Sequence, residues 1–311
     1  MLQLRSLAEA EVNPSAKSCL LLVNPISGGG KALAKYQAVA DQLSAAGFQC
    51  RTHISSSQAD LMSELAEANE SVVYLLSGDG SIQAAAQVIV SKQLPIRLAP
   101  LPGGRGNDFC SVLGIPADIS LAVANTINSP EHLEVDVMVI NGSKIALGAI
   151  SVGIDAAAAA ISVQIQERGN RWLKGAPLYI YSALVALSRW KAISIETVID
   201  GKAKKLSGLW LFVVSNSGQF GGGMKIAPHS KIQDGILEII SVAEVSKLDF
   251  LLTLPKVFFG RHLNHPKLEK FEARDVVISS KEQVTAFADG EPLGNLPLSI
   301  SVQTAALKIL K

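Results

Sequence analysis

One carboxylate, Asp79, stands between two glycines in the segment 75–86, LLSGDGSIQAAA. An apolar, β-branched run ends just before this segment's glycines, and an alanine-rich stretch with high helix propensity follows, which predicts strand, glycine turn, helix. The first turn of such a helix offers unpaired N–H groups that suit a phosphate. A carboxylate there suits a metal, a hydroxyl or a ribose, although Asp-Gly also marks ordinary turns.

Two further glycine-rich loops follow predicted strands. The segment 24–31, NPISGGGK, lacks P-loop spacing, but its N–H groups and Lys31 could cradle a phosphate. A flexible turn with a solvated lysine is the alternative. The segment 100–109, PLPGGRGNDF, follows the next strand. Because ligands bind at the carboxyl ends of parallel strands, we expect all three loops to meet at one edge of a sheet.

The order of predicted elements indicates two domains. Predicted strands lie at 19–23, 49–54, 72–76 and 96–99, and predicted helices lie at 32–46, 59–70, 82–91 and 119–128. This alternation is typical of a parallel α/β sheet. Later strands pair locally, with hairpin turns at Asn141-Gly142 and Asp200-Gly201, which predicts a mainly antiparallel β domain.

The expected domain limits follow from that change of pattern. We predict an α/β domain over 1–133, completed by 296–311, and a β-rich domain over 134–295, with 1–17 as a polar leader. The last run is assigned to the first domain because its alternating apolar residues indicate a strand that leads the chain back.

Composition excludes several classes of protein. The 311 residues are 48% hydrophobic and 18% charged, which is typical of a packed globular protein, and a net charge of +1 gives no overall field for nucleic acid. Cys19, Cys50 and Cys110 lack CxxC spacing, so a zinc site or disulfide framework is not expected, and a reducing cytoplasm fits best. No segment reaches the ~18 uncharged apolar residues that span a bilayer.

Six motifs in order resemble the diacylglycerol kinase catalytic-domain family, which includes bacterial lipid kinases and is related to sphingosine kinases. They are NPxSGxxK at 24–31, GDG plus a hydroxyl at 78–81, GxGNDF at 104–109, GGGMKIAP at 221–228, QDG at 233–235 and DGEPL at 289–293. The resemblance implies a Rossmann-like nucleotide domain like that of NAD kinases, then a β domain, with the active site in the cleft between them.

The resemblance implies a reaction and a nucleotide site. The reaction is transfer of the γ-phosphoryl group of ATP, with Mg²⁺, to a hydroxyl of diacylglycerol or a related lipid alcohol such as phosphatidylglycerol or a sphingoid base. The nucleotide-binding residues expected by position, with Lys31 added from its loop, are Asn24, Ser27, Lys31, Ser55, Gly78, Asp79, Gly80, Ser81, Ile82, Gln83, Gly104, Arg105, Gly106 and Asn107.

The resemblance also assigns catalytic carboxylates. Glu291 is the expected general base and Asp289 assists it, with Asp79 as the next candidate. Asp289 and Glu291 lie two residues apart, so on a regular strand they would face the same side. Without the family match, Asp289-Gly290 followed by Glu291-Pro292 is simply a good hairpin turn.

A structural Mg²⁺ site is implied at Asp234, with backbone carbonyls of Lys231 and Ile236, because Mg²⁺ prefers oxygen ligands. An Asp-Gly turn is the alternative, since Gln233 stands where other members have a second acid.

Three residues depart from the family pattern and leave weakened or lost activity open. Ser77 replaces a glycine, Ala84 replaces an acid, and Arg105 replaces a small hydroxyl residue. The guanidinium of Arg105 could bind phosphates bidentately or block the adenine side of the cleft.

Two stretches suit a lipid partner. Residues 177–188 carry no charge, and residues 250–268 mix leucines and phenylalanines with basic residues, which suits an anionic membrane surface; helices that cover the β domain are the alternative. We expect a cytoplasmic protein, peripheral at the inner membrane face, with a lipid substrate and no nucleic acid, and a homodimer stays open. The alternative functions are an NAD kinase-like enzyme for a soluble substrate and a lipid-binding regulatory protein without turnover.

Overall fold

A computed structural model describes residues 17–128, 132–168 and 176–311 of the chain. Apart from Lys17, the predicted polar leader lies outside these described residues.

The N-terminal region alternates strands and helices, as predicted. Its strands are β1 (Lys17–Val23), β2 (Phe48–Ile54), β3 (Val72–Ser77) and β4 (Arg97–Pro102). Its helices are α1 (Lys31–Ala45), α2 (Gln58–Ala66), α3 (Asp79–Ser91), α4 (Asp108–Val112) and α5 (Ile119–Asn128), with a 3₁₀ turn at Ser27–Gly29. The strands pair in parallel in the order β2-β1-β3-β4.

Burial explains why the central strands read as continuous apolar runs. All of β3 is buried, and so are the last five residues of β1, because helices cover both faces of a parallel sheet. Leu20, Leu22, Leu75 and Leu76 are among the largest fully buried side chains.

The C-terminal region is rich in antiparallel strands. They are β5 (His132–Ile140), β6 (Lys144–Ala146), β7 (Ala149–Gly153), β8 (Ile193–Ile199), β9 (Lys202–Ser215), β10 (Leu237–Ala243), β11 (Leu268–Ala273), β12 (Asp275–Ser279), β13 (Thr285–Ala288), β14 (Glu291–Asn295) and β15 (Leu298–Leu310). Its helices are α6 (Ile154–Glu167), α7 (Ala176–Arg189) and α8 (Lys247–Val257). The predicted α/β plus antiparallel β fold class is therefore confirmed.

Local chemistry accounts for two of the hairpins and for one missed helix. Asn141-Gly142 and Asp200-Gly201 all adopt positive φ, as a tight hairpin turn requires.

Helix α6 was not predicted, although its alanine run at 156–160 has high helix propensity and was the available signal.

Strand β15 connects the parallel and antiparallel parts of the sheet. Its beginning pairs antiparallel with β12, and its end pairs in parallel with β4, where Lys308 lies opposite Arg97. The pairing of β15 with β5 shifts register between Gln303 and Leu307. The predicted domain limits at 133 and 296 stay predictions.

A buried carboxylate holds this irregular part of β15. The Asp136 Oδ1 accepts a hydrogen bond from the Ala305 amide at 2.9 Å, and its Oδ2 accepts one from the Gly235 amide at 2.7 Å. Asp136 and Gly235 are both buried, so water cannot readily replace the bond between them.

We expect Asp136→Ala to lower the free energy of unfolding by about 2 kcal/mol, because the buried Gly235 amide loses its acceptor and the Ala305 amide loses a hydrogen bond to a charged group. Asp234→Ala is the matched control: its exposed carboxylate also accepts an amide hydrogen bond, and the change should stay within about 0.5 kcal/mol. Urea unfolding of both variants measures the difference, and equal losses would contradict the role assigned to Asp136.

Candidate active site

The three glycine loops touch one another at the carboxyl edge of the parallel strands. The Gly103 amide donates to the Ser77 carbonyl at 2.8 Å. A Cβ added to Gly28 would lie 2.5 Å from the Gly103 oxygen, and one added to Gly104 would lie 2.6 Å from the Gly78 Cα. The predicted convergence of the loops is confirmed.

Polar side chains of the predicted site lock these loops together. The Asn24 amide donates to the Ser81 hydroxyl at 2.8 Å, and the Ser27 hydroxyl accepts from the Gly78 amide at 3.2 Å. Within the third loop, Asn107 Oδ1 accepts from the Gly104 amide at 2.8 Å. The backbone that would face a ligand is therefore held in place beforehand.

Positive charge lies around the same loops. Gly78 is the N-cap of α3, so the N-terminus of that helix, with its N–H groups that lack helical partners, lies in the loop cluster. Arg105 reaches over the first loop, with its Nη2 3.6 Å from the position of a Cβ on Gly29. Lys31 is exposed at the start of α1, directly after that loop. The arrangement suits a polyphosphate.

Three other predicted nucleotide residues are engaged in the framework. The Ser55 hydroxyl is buried and donates to the Val23 carbonyl at 3.1 Å. The side chain of Ile82 is fully buried in the core. The Gln83 amide donates to the Ile145 carbonyl at 2.7 Å. Their contacts with a nucleotide stay predictions.

A cleft of roughly 280 Å³ adjoins the loops and lies between the N-terminal and C-terminal regions. Four aspartates line it, together with apolar side chains such as Phe220, Phe287 and Val163. The aspartates are Asp79, Asp108, Asp155 and Asp289.

Burial and neighbouring carboxylates raise the pKa of both Asp79 and Asp289. Burial raises the pKa of Asp79, and the charge of Asp108 acts in the same direction, although Asp79 accepts a hydrogen bond from the Phe109 amide at 3.1 Å. Burial also raises the pKa of Asp289, with a further contribution from the charge of Asp79. Such a crowded group of carboxylates favours a nearby cation.

The Asp289 carboxylate is bound by three consecutive backbone amides. It accepts hydrogen bonds from Leu147 at 2.8 Å, from Gly148 at 2.9 Å and from Ala149 at 2.9 Å. This anchor fixes the turn between β13 and β14 beside the cleft.

Glu291 does not share a strand face with Asp289, so that expectation is wrong. Asp289 and Gly290 have φ values of 49° and 86° and form a tight turn, after which Glu291 begins β14 opposite Ala288. Glu291 is exposed, while Asp289 and Gly290 line the cleft. The catalytic role of Glu291 stays a prediction.

Asp108 was missed as a site residue, although it lies inside the GxGNDF motif. Its carboxylate accepts from the Gln219 side chain at 3.0 Å and from the amides of Gly222 at 2.7 Å and Gly223 at 2.8 Å. It thus joins the third loop to the glycine-rich segment across the cleft.

Asp155 was also missed as a site residue. Its only signal in the sequence is its position as the one acid within the apolar run at 151–160. It lies in the first turn of α6, and neither carboxylate oxygen has a hydrogen-bond partner among the described residues. Burial raises the pKa of Asp155 to about 6. An unpaired carboxylate of this kind is costly, which indicates a functional role.

The residues of the predicted structural Mg²⁺ site lie apart from those that line the cleft. The Asp234 carboxylate accepts from the Ile236 amide at 3.0 Å within its turn. Within the ranges that the structure describes, no three His, Cys, Asp or Glu side chains cluster as metal ligands. The site formed with the Lys231 and Ile236 carbonyls stays a prediction.

Both halves of the chain match models of kinase domains. Residues 18–140 match the diacylglycerol kinase catalytic domain, and residues 148–311 match the YegS C-terminal NAD kinase beta sandwich-like domain. This pair defines a phosphotransferase with an NAD kinase-like architecture. The chain belongs to the diacylglycerol kinase catalytic-domain family, and by that membership it is a lipid kinase.

Similar proteins align over nearly the whole chain. The diacylglycerol kinase of Mycobacterium tuberculosis (strain ATCC 25618 / H37Rv) is 27% identical, over 93% of this chain and 94% of that protein. That of Bacillus subtilis (strain 168) is 23% identical, over 90% and 92%. A solved diacylglycerol kinase from Bacillus anthracis str. Sterne shares the fold with a TM-score of 0.74 at 21% identity, over 96% and 98%. Among the described residues, no helix has both the length and the apolar character of a membrane span.

We expect Gly104→Ala to lower the free energy of unfolding by about 1–3 kcal/mol, because its Cβ would overlap the Gly78 backbone. Gly80→Ala is the matched control, since a Cβ there meets nothing within 4 Å. Alanine should leave stability unchanged or raise it by up to about 1 kcal/mol at that helical position. Equal tolerance of both substitutions in thermal unfolding would contradict the close packing of the loops.

We expect Asp155→Asn to remove a pH dependence of stability. The pKa of this carboxyl is 3.8 ordinarily and about 6 in the folded protein, so between these values the unfolded chain binds fewer protons. The wild-type free energy of unfolding should therefore fall by about 3 kcal/mol as the pH rises through this window. Urea titrations of both proteins at either end of the window measure the difference, and parallel profiles would contradict the raised pKa.

Proposed function

We propose that this lipid kinase transfers the γ-phosphoryl group of ATP to the hydroxyl of diacylglycerol or a related lipid alcohol. The observation that carries the proposal is the meeting of three glycine loops and the α3 N-terminus beside a carboxylate-lined cleft. Phosphoryl transfer needs positioning, neutralisation of phosphate charge and a base for the hydroxyl, and the residues of this cleft can supply each of them.

The loops form the proposed nucleotide cradle. The N–H groups at the start of α3 bind phosphate oxygens, and Arg105 and Lys31 add positive charge from the third and first loops. Because Arg105 already reaches the first loop, its guanidinium would bind phosphate oxygens rather than obstruct the adenine side of the cleft.

Mg²⁺ fits the acidic side of this cradle. The ion prefers oxygen ligands, keeps several waters and binds through one or two carboxylates together with substrate phosphates. Asp79 and the neighbouring Asp108 would hold it, and their proximity already raises the pKa of Asp79. When bound, the ion neutralises charge on the transferred phosphoryl group.

The proposed base is Glu291, which directly follows the cleft-lining residue Gly290 in the chain. Asp289 fixes the turn that carries Glu291, because three amides hold its carboxylate. An exposed carboxylate can accept a proton from a lipid hydroxyl that enters from the surface. Asp79 is the next candidate, because it lines the same cleft.

An apolar cavity supports a lipid substrate. It lies beneath α8, and Asp155 and Phe220 line both this cavity and the catalytic cleft. We propose that the part of an acyl chain nearest the headgroup packs in the apolar cavity while Asp155 faces the polar end of the lipid. Such a substrate resides in a bilayer, so the protein would bind peripherally at the inner membrane face.

We expect Glu291→Gln to lower turnover by about 100-fold or more and to leave ATP affinity unchanged, because the base is lost and the nucleotide loops are not. Transfer from labelled ATP with Mg²⁺ is measured on separate vesicles of diacylglycerol, phosphatidylglycerol and a sphingoid base, and ATP binding is measured by calorimetry. Full turnover of the variant would place the base elsewhere, and Asp79→Asn is then tested in the same way.

The same assay separates the alternative functions. Transfer to NAD alone would select a kinase for a soluble substrate. ATP binding without transfer to any acceptor by the wild-type chain would select a lipid-binding regulatory protein.

A further inference from the structure

Helix α8 is apolar on two opposite faces. Its inner face comprises Phe250, Thr253, Leu254 and Val257, which line the apolar cavity of roughly 70 Å³. The spacing of these residues is that of one helix face. Phe250 also packs on Trp210, with ring centroids 5.4 Å apart. Burial of the inner face accounts for the position of α8 on the β strands.

The outer face of α8 is apolar and exposed. Leu248 and Leu252 are 66% and 63% exposed. Phe259, in the turn that follows α8, is 73% exposed. Leu251 and Phe258 are also exposed. Within the described residues, nothing covers this face. Large apolar side chains grouped in this way mark an interaction surface rather than ordinary surface residues.

Positive charge surrounds the outer face. Lys256 and Arg261 are exposed, and neither forms an ion pair among the described residues. Glu244 is paired with Lys267 at 3.1 Å, and the charge of Asp249, which contacts His265, is outnumbered by those of the exposed Lys247, Lys256 and Arg261. The surface therefore presents apolar side chains with excess positive charge.

We propose that α8 and the turn at 258–261 dock this kinase on an anionic phospholipid bilayer, an inference that rests on the proposed lipid substrate. Leu248, Leu252 and Phe259 enter the boundary between headgroups and acyl chains, and Lys256 and Arg261 bind anionic headgroups. A second copy of the chain fits less well, because a symmetric contact would bring the same positive charges together.

The docking surface and the apolar cavity share one helix. A lipid that leaves the bilayer beside α8 therefore has to pass only that helix to reach the cavity. Asp155 and Phe220 line both the cavity and the cleft. Docking through the outer face thus brings the bilayer close to the acceptor side of the cleft.

The test measures sedimentation of the full-length protein with vesicles and without ATP. Vesicles of equimolar phosphatidylglycerol and phosphatidylcholine are compared with vesicles of phosphatidylcholine alone. We expect preference for the anionic vesicles, weakened by salt. The double variants Leu252→Glu with Phe259→Glu, and Lys256→Glu with Arg261→Glu, should each lower affinity by at least about tenfold. Leu121→Glu is the control, because Leu121 on α5 is 59% exposed.

Wild-type affinity in both double variants, or an equal loss in Leu121→Glu, would overturn the proposal. Light scattering is measured on the same samples, and conversion of a dimer to a monomer with vesicle binding intact would identify a subunit interface instead. Phosphorylation of a dispersed short-chain lipid alcohol should be unchanged in the variants. Because vesicle binding is measured without ATP, absence of kinase activity in every protein would count against the proposed function and not against docking.

Discussion

Aspartate carboxylates bound to backbone amides from distant parts of the chain hold the candidate site and the adjoining strand β15 in place. Asp289 accepts hydrogen bonds from amides that lie 140 to 142 residues away along the chain. Asp108 does the same with Gly222 and Gly223, and Asp136 with Gly235 and Ala305. Hydrogen bonds from amides to a charged acceptor are stronger than neutral ones, and removal of Asp289 or Asp136 leaves buried donors such as the Leu147 and Gly235 amides unsatisfied. Each aspartate therefore fixes a loop that packing alone would hold only loosely.

The use of aspartates as anchors also concentrates negative charge at the cleft. The pKa of Asp79 and that of Asp289 are both raised by burial; the charge of Asp108 raises the pKa of Asp79 further, and the charge of Asp79 raises that of Asp289. The same glycine loops also carry the N–H groups at the start of α3 and the cations of Arg105 and Lys31. A site with an anion-binding side and an acidic side suits a nucleotide whose phosphates are accompanied by a divalent cation.

The region around α8 and the apolar cavity is shaped by a different constraint. Helix α8 must be apolar inside to pack on the β strands, and its outer leucines serve no packing purpose within the described residues. Asp155 links this region to the chemistry, because it lines both the apolar cavity and the cleft and has no hydrogen-bond partner among the described residues. The family relationship, the cleft and α8 thus support one direction of substrate entry.

Local sequence determined the elements and most of the loops. The apolar runs of β1 and β3, the alanine-rich α3 and the Asn-Gly and Asp-Gly hairpins follow from residue type and spacing, because their physical causes act over a few residues. The order of six motifs likewise indicated the family. Asp79 and its loop were recognisable for the same reason.

Tertiary structure alone decided which carboxylates meet. Asp289 and Glu291 were expected to face the same side of a strand, yet a turn with positive φ separates them, so Asp289 is anchored and Glu291 is exposed. Asp108 and Asp155 gave weak signals because the partner amides and the burial that define them come from distant strands and helices. Burial and electrostatic coupling depend on contacts between residues far apart in the chain, which short-range patterns do not encode.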